Sequence, residues 1–155
     1  RAHKEIDAMK KYLFAIIVSA LCVITTDQNT FGANEGSTMT LRIKVGKEVL
    51  TATMLDSDAS RDFVSMLPLT LHMKDYSGTE KISNLPRRMS TKDAPDGYDP
   101  SVGDITYYSP WGNLAIFYRD FGYAKGLIKL GSIDGGIEKL AGLHGDFEAV
   151  FELMD

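Results

Sequence analysis

Two consecutive arginines after a Leu-Pro pair offer the most specific chemistry in the sequence. In the segment Leu85-Pro86-Arg87-Arg88, a guanidinium facing a proline-sized apolar pocket could donate hydrogen bonds to a peptide. It would polarise a prolyl amide, whose rotation has a barrier of about 20 kcal/mol. In the alternative interpretation, which we favour, Leu-Pro forms a turn at the rim of the fold. Both arginines are then solvated or pair with carboxylates of the loop 93–99. Arg87 and Arg88 are therefore candidate catalytic and ligand-binding residues.

Aromatic side chains are dense in the second half of the chain. In alternating strands half of them must point inwards, so we expect Tyr107, Phe117 or their neighbours to build the core. Trp111 differs because it lies in a Pro-Trp-Gly turn, where an indole could line a groove for a peptide or a flat ligand. The candidate ligand-binding residues besides the two arginines are therefore Tyr108, Trp111 and Tyr118.

The sequence argues against several familiar classes of site. His72 and His144 have no partner at the spacing of a metal site. There is no Gly-x-Ser-x-Gly motif and no phosphate-binding glycine loop between a strand and a helix. His72 also falls on the polar side of an alternating segment, as a surface residue would. We therefore expect no metal and no cofactor.

Alternating apolar residues predict the strands that must position these side chains. Residues 39–45 and 48–55 alternate on either side of Gly46-Lys47, which fits a two-residue hairpin turn. Short elements, mostly strands, favour a mainly β fold with a closed barrel over a parallel sheet covered by helices. The other predicted strands are 69–74, 104–108, 113–119, 125–130 and 147–153.

Two short helices and a long loop complete the predicted elements. Asp56-Ser57-Asp58 supplies capping oxygens and negative charge for a helix over 56–67, which Pro68 ends. A second short helix follows Asp134-Gly135-Gly136. Periodicity fades over 81–103 while prolines accumulate, and this predicts a surface loop there.

The first 33 residues differ from the rest of the chain. Met9-Lys10-Lys11 is a basic start, and an apolar run and a polar stretch follow it, so residues 9–33 have the pattern of a secretory signal peptide. The apolar run of 13 residues is too short to span a membrane, which takes about 20. We therefore expect export to the periplasm or the extracellular space, without a membrane helix. A lipid anchor on Cys22 is the less favoured alternative, since Leu21 stands where such signals carry Gly or Ala.

Residues 1–8 are interpreted as upstream or added sequence, and residues 34–155 as the folded domain. That domain has 13 basic and 18 acidic residues, a net charge of −5, and no cysteine. Its acidity argues against nucleic acid as a partner, because such binding needs clustered cations. The lack of cysteine excludes disulfides and thiol chemistry from the domain.

A resemblance to a known family is carried by three blocks: TATMLDSDASRDFVSMLPLTLHMKDYSGTEKISNLP, GDITYYSPWGNLAIFYRDF and IKLGSID. In these blocks, within residues 41–153, the chain resembles a bacterial family of small proteins with a cyclophilin-like fold. The resemblance implies a β-barrel closed by two helices, but no known activity, because the family is largely uncharacterised. The present sequence lacks the Phe-His-Arg and Phe-Met-x-Gln-Gly-Gly-Asp segments that surround the catalytic arginine of cyclophilin prolyl isomerases.

The expected function is therefore that of an exported barrel that binds a peptide or a small ligand as an accessory module. Weak peptidyl-prolyl isomerisation, with Arg87 or Arg88 in place of the usual arginine, is the alternative.

Overall fold

The alternating segments of the sequence form strands in the computed structural model, which describes residues 38–155. The elements are β1 (Thr40–Val45), β2 (Glu48–Met54), α1 (Asp58–Val64), β3 (Leu69–Tyr76), β4 (Glu80–Asn84), β5 (Gly97–Tyr98), β6 (Asp104–Tyr108), β7 (Asn113–Phe117), β8 (Ala124–Lys125), β9 (Leu127–Ile133), α2 (Ile137–Ala141) and β10 (Phe147–Leu153). Eight strands close an antiparallel barrel in the order β1-β10-β3-β4-β7-β6-β9-β2, and β5 and β8 form a separate two-stranded sheet. The predicted mainly β fold with a closed barrel and two short helices is confirmed.

The opening hairpin is confirmed. Val45 pairs with Glu48 across the turn, and Gly46 has a φ of +58°, a left-handed conformation that glycine adopts without steric cost. Every second residue of β1 and β2 is buried, so one face of the hairpin packs into the barrel.

The inward side chains of the strands form the main core. Tyr107 belongs to it, as predicted, and is 1% exposed. The two helices add Phe63 and Leu140, and the Phe63 ring stands edge-on to Phe151 with ring centroids 6.3 Å apart. The helices therefore close the barrel by contributing to the same core as its strands.

A second, smaller hydrophobic cluster lies on the outer face of the barrel. Phe117 belongs to this cluster together with Ile82, Ala115 and Leu127, so of the two aromatic residues named as core candidates only Tyr107 lies in the main core. The inward side chains of β7 are Leu114 and Ile116, and Phe117 alternates with them. It is nevertheless buried, because Tyr98, Tyr108 and Ala124 pack against this outer cluster.

Helix α1 is shorter than predicted and is fastened to the barrel through polar contacts. Ser57 caps it and accepts a hydrogen bond from the Ser60 amide at 3.1 Å. The Ser60 hydroxyl in turn donates to the carbonyl of Leu130 in β9 at 2.7 Å. The helix ends at Val64, ahead of Pro68. Neither helix within residues 38–155 is long and apolar enough to cross a membrane.

The prediction of a surface loop over 81–103 was wrong at its start, where the strand β4 forms. This strand pairs with β3 on one side and with β7 on the other. Its buried inward position holds Lys81, whose ammonium donates to Asp75 Oδ1 and to the Leu143 carbonyl, each at 2.8 Å. A buried lysine breaks the apolar alternation that indicates a strand. The predicted leader, its alternative lipid site at Cys22 and residues 1–8 lie outside the described residues.

Candidate functional site

Arg87 lies against helix α1. Its guanidinium donates to Asp62 Oδ1 at 2.5 Å and to the Ser65 hydroxyl at 3.1 Å. The expected partner in the loop 93–99 was therefore wrong, since α1 supplies the carboxylate. Hydrogen bonds from Arg87 lower the pKa of Asp62, and the Ser90 amide adds to the effect. Arg87 thus fastens the Leu-Pro-Arg-Arg segment to α1.

Arg88 lies under the turn that carries Trp111. Its guanidinium donates to the backbone carbonyls of Ser109 and Pro110 at 2.8 and 3.3 Å. At Gly112, which has a φ of +73°, an added Cβ would lie 3.5 Å from the Arg88 side chain. The two arginines therefore have different partners, and Arg88 supports the Trp111 turn from the side.

Trp111 and Tyr108, both predicted as ligand-binding residues, are in contact. The indole stands edge-on to the Tyr108 ring and to the Tyr76 ring, with ring centroids 5.5 Å apart in each case. Trp111 nevertheless remains 55% exposed. Edge-to-face packing holds the ring in place without covering it.

These rings border a cavity on the outer face of strands β3, β4, β6 and β7, which we call the aromatic groove. Its volume is about 190 Å³, and its floor is the outer hydrophobic cluster around Phe117. Neither predicted arginine is among the residues that line it. Those residues are Tyr76, Glu80, Ile82, Tyr108, Trp111, Asn113, Ala115, Phe117, Phe121, Ala124 and Leu127.

A larger cavity of about 510 Å³ adjoins the aromatic groove. Both cavities share Tyr76, Ile82, Trp111 and Asn113 as lining residues. The adjoining groove is more polar, and it also includes His72 and Lys74 of β3. Trp111 therefore stands at the border between an aromatic and a basic compartment.

Tyr118, the remaining predicted ligand-binding residue, lies next to the grooves but lines neither of them. Its hydroxyl donates to Asp75 Oδ1 at 2.6 Å, and the Lys81 ammonium lies 4.9 Å from its ring centroid. Burial and the hydrogen bond to Asp75 raise the pKa of Tyr118 to about 12. Tyr118 therefore belongs to the polar cluster that buries Lys81.

Two buried side-chain oxygens in the described part of the chain have no hydrogen-bond partner: Glu80 Oε2 and Asn113 Oδ1. Both residues line the aromatic groove. Unpaired buried acceptors are uncommon in folded proteins, because each forfeits its hydrogen bond to water. Burial, followed by repulsion from Asp75, raises the pKa of Glu80 to about 7. The groove thus combines aromatic walls with two acceptors that lack donors.

Sequence reasoning missed Glu80 and Asn113. Glu80 reaches the groove because it pairs with Tyr76 on one side and with Phe117 on the other. Asn113 is there because β7 turns its polar first residue to the outer face. Both placements depend on the pairing of strands distant in sequence, and nothing in the local pattern indicates that pairing. Among residues 38–155, no group of His, Cys, Asp or Glu side chains could hold a metal ion.

Replacing Glu80 with glutamine should remove a pH-dependent loss of stability. The folded-state pKa of about 7 lies above the ordinary value, so the stability that Glu80 contributes is full below about pH 4 and is lost as the pH rises through 7. The difference in free energy of unfolding between Glu80→Gln and the wild type should be about 1–2 kcal/mol more favourable to the variant at pH 8 than at pH 5. This is less than the full pKa shift would give, because the side chain is partly exposed. Urea unfolding at both pH values measures this difference. Exposed Glu138→Gln is the control, and the prediction fails if the two variants show the same pH dependence.

Comparisons with known proteins agree with this architecture. Comparison with the curated proteins finds no match. The chain is similar to the solution structure of the hypothetical protein AF2241 from Archaeoglobus fulgidus, with a TM-score of 0.58 and 18% identity. The similarity covers 79% of this chain and 99% of the archaeal chain, and at this identity it supports the fold alone. The bacterial origin implied by the resemblance stays a prediction. The model of the cyclophilin-like family matches residues 43–152, which is most of the chain, and the chain therefore belongs to the cyclophilin-like family.

Proposed function

We propose that the chain is a ligand-binding module whose aromatic groove takes a small ligand or one side chain of a peptide. The supporting observation is the exposed Trp111 ring, held between Tyr76 and Tyr108 at the mouth of a cavity with two unpaired acceptors. Large aromatic rings at the edge of a pocket supply most of the binding free energy in many protein sites. Here they are already in place, because Arg88 supports the turn and the tyrosines fix the ring. A preorganised ring loses little conformational freedom when a ligand binds.

Trp111→Ala should weaken binding to the groove about 30-fold, the effect of losing about 2 kcal/mol at an aromatic anchor. Probes are selected from a set of short peptides, alkylamines and neutral aromatic fragments by the rise in melting temperature of the full chain. Trp111 is the single tryptophan of the sequence, so its fluorescence reports binding directly in the wild type, and calorimetry measures the variant.

Tyr123→Ala is the matched control, since Tyr123 is 63% exposed and does not line the groove. Equal affinities of the Trp111→Ala and Tyr123→Ala variants would count against the aromatic groove as the binding site.

Weak prolyl isomerisation remains the alternative prediction. It receives no support from the geometry, since Arg87 is paired with Asp62 and Arg88 is bonded to two backbone carbonyls. A protease-coupled assay with a proline peptide decides the matter. Acceleration above buffer that disappears in Arg87→Ala or Arg88→Ala would establish the isomerase.

Export to the periplasm or the extracellular space is also a proposal, and it rests on the signal-like pattern of residues 9–33. Cell fractionation followed by mass spectrometry of the N-terminus tests it. A mature chain that begins near residue 34 would support export, an N-terminal lipid on Cys22 would support anchoring, and an uncleaved chain in the cytoplasm would contradict both.

A further inference from the structure

The described side chains that line the aromatic groove carry negative charge and no positive charge. Among its described lining residues, Glu80 is the one whose side chain carries a formal charge. Asp75, whose charge acts on Glu80, is also acidic. A cation that enters the groove would therefore meet a negative local potential, and an anion would be repelled.

The unpaired acceptors also restrict the ligand. Asn113 is 3% exposed. Its Oδ1 accepts no hydrogen bond from the described residues, and neither does Glu80 Oε2. A ligand without N–H or O–H donors would leave both oxygens unsatisfied. An unsatisfied buried acceptor of this kind costs about 1–3 kcal/mol. Because Glu80 pairs with Phe117 and Asn113 pairs with Asn84, the two oxygens lie at opposite ends of the groove floor, and a donor group at one end satisfies Glu80.

The aromatic walls favour the same kind of ligand. Trp111, Tyr76 and Tyr108 form a contacting set at the mouth, and Phe117 and Phe121 face each other with ring centroids 6.0 Å apart. The faces of such rings attract cations, indole most strongly. The barrel itself shows this contact next to the groove, where the Lys81 ammonium lies 4.9 Å from the Tyr118 ring centroid.

We propose that the aromatic groove binds a primary alkylammonium group, such as a lysine side chain or an alkyl amine, with its N–H donors directed to Glu80. This inference rests on the proposed function of the groove and names its ligand class. The ammonium occupies the Glu80 end, and the alkyl chain lies along the rings that continue to Trp111. With a volume of about 190 Å³, the groove suits a small cationic group rather than a folded partner.

The basic groups near the site are already paired or lie in the adjoining groove. Lys81 donates to Asp75 and faces the interior of the barrel. His72 and Lys74 line the larger groove beyond Trp111. Arg88 is bonded to the carbonyls of Ser109 and Pro110, and Arg119 acts on Tyr118. None of these groups lines the aromatic groove, so none competes for its two acceptors.

The interaction should depend on pH in a defined direction. Since the pKa of Glu80 is about 7, its carboxylate form is dominant at pH 8 and its neutral acid form at pH 5.5. An ammonium binds the carboxylate better, so its affinity must fall as the pH falls. Asp75 has a pKa of about 2 because of its hydrogen bonds from Lys81 and Tyr118, so it stays ionised throughout this range. The comparison is repeated in a His72→Gln background, which removes the imidazole of the adjoining groove.

The test compares n-butylammonium chloride with n-pentanol, a neutral molecule of similar length, on the full chain at constant ionic strength. Trp111 fluorescence and the melting temperature are the readouts. At pH 8 we expect butylammonium to bind at least about 10-fold more tightly than pentanol, which corresponds to about 1.4 kcal/mol. Glu80→Gln should abolish this preference, pH 5.5 should reduce it, and Glu138→Gln should leave it unchanged.

The outcomes separate the two proposals. If pentanol binds as tightly as butylammonium and changes Trp111 fluorescence, the groove is a binding site and the ammonium preference is refuted. If Glu80→Gln leaves butylammonium binding unchanged, the role assigned to Glu80 is refuted. If neither these probes nor the peptides and fragments of the wider set bind at the groove, the proposed function fails together with this inference.

Discussion

Asp75→Asn is expected to lower the free energy of unfolding by about 3 kcal/mol, the lower end of the range for breaking a buried ion pair. The Lys81 side chain is 2% exposed and its ammonium lies 2.8 Å from Asp75 Oδ1. An asparagine leaves that buried cation without a counterion, because the amide and the Leu143 carbonyl are neutral acceptors. The hydrogen bond from the Tyr118 hydroxyl also loses its charged acceptor. Urea unfolding at pH 7 measures the loss.

Two further variants show whether the unpaired Lys81 ammonium causes the loss of stability in Asp75→Asn. Lys81→Met combined with Asp75→Asn removes both charges and should recover part of the loss, since a buried pair can be replaced by apolar packing at little cost. Asp99→Asn, at an exposed carboxylate, should change stability by less than about 0.5 kcal/mol. A similarly small effect of Asp75→Asn would contradict the role assigned to this ion pair.

The ion pair also predicts a response to acid. Hydrogen bonds from Lys81 and Tyr118 lower the pKa of Asp75 to about 2. A lowered carboxyl pKa contributes stability that is full above the ordinary value near 4 and is lost as the pH falls towards 2. In Asp75→Asn, this part of the acid-induced loss should be absent.

Phe63→Ala is expected to destabilise the fold by about 3–5 kcal/mol, the usual cost of removing a buried phenylalanine. The ring is 0% exposed and packs edge-on against Phe151 of β10. It is the largest side chain that α1 adds to the core, so the cavity would open where the helix meets the strands. Thermal or urea unfolding of the full chain measures the effect.

Phe121→Ala is the matched control for this substitution. Phe121 is 56% exposed and lies at the aromatic groove, so its loss should cost less than about 1 kcal/mol of stability. It should weaken ligand binding instead. Equal destabilisation by Phe63→Ala and Phe121→Ala would mean that α1 does not hold the barrel together as described.

The fold was predictable where one face of a strand is apolar and the other polar. The bounds of β6 and β10 agree with the sequence prediction, and the β1–β2 hairpin forms around Gly46. The strand β4 was not predictable in this way, because its inward position holds Lys81. That lysine is satisfied by Asp75 and by a carbonyl from a distant segment, and such partners cannot be inferred from local alternation.

The site was predictable only in part, for a related reason. Trp111 could be identified from its Pro-Trp-Gly turn, and Tyr108 follows from its place in the strand before that turn. The partners of Arg87 and Arg88 come from α1 and from the Trp111 turn, so neither side chain lines the aromatic groove. Glu80 and Asn113 become neighbours of the rings through strand register alone. Side chains that meet across paired strands need the pairing first, and the sequence pattern does not supply it.

Amide chemical-shift mapping with n-butylammonium as the probe tests the central claim most directly, namely that the aromatic groove is the binding site. The isotope-labelled full chain is titrated at pH 8, and the indole N–H of Trp111 gives one separate signal. We predict that the shifted signals cluster at Trp111 and at the amides of Tyr76, Glu80, Asn113 and Phe121. Shifts that cluster instead around Asp58, Ala94 and Lys129, which line a separate cavity of about 350 Å³, would contradict the account.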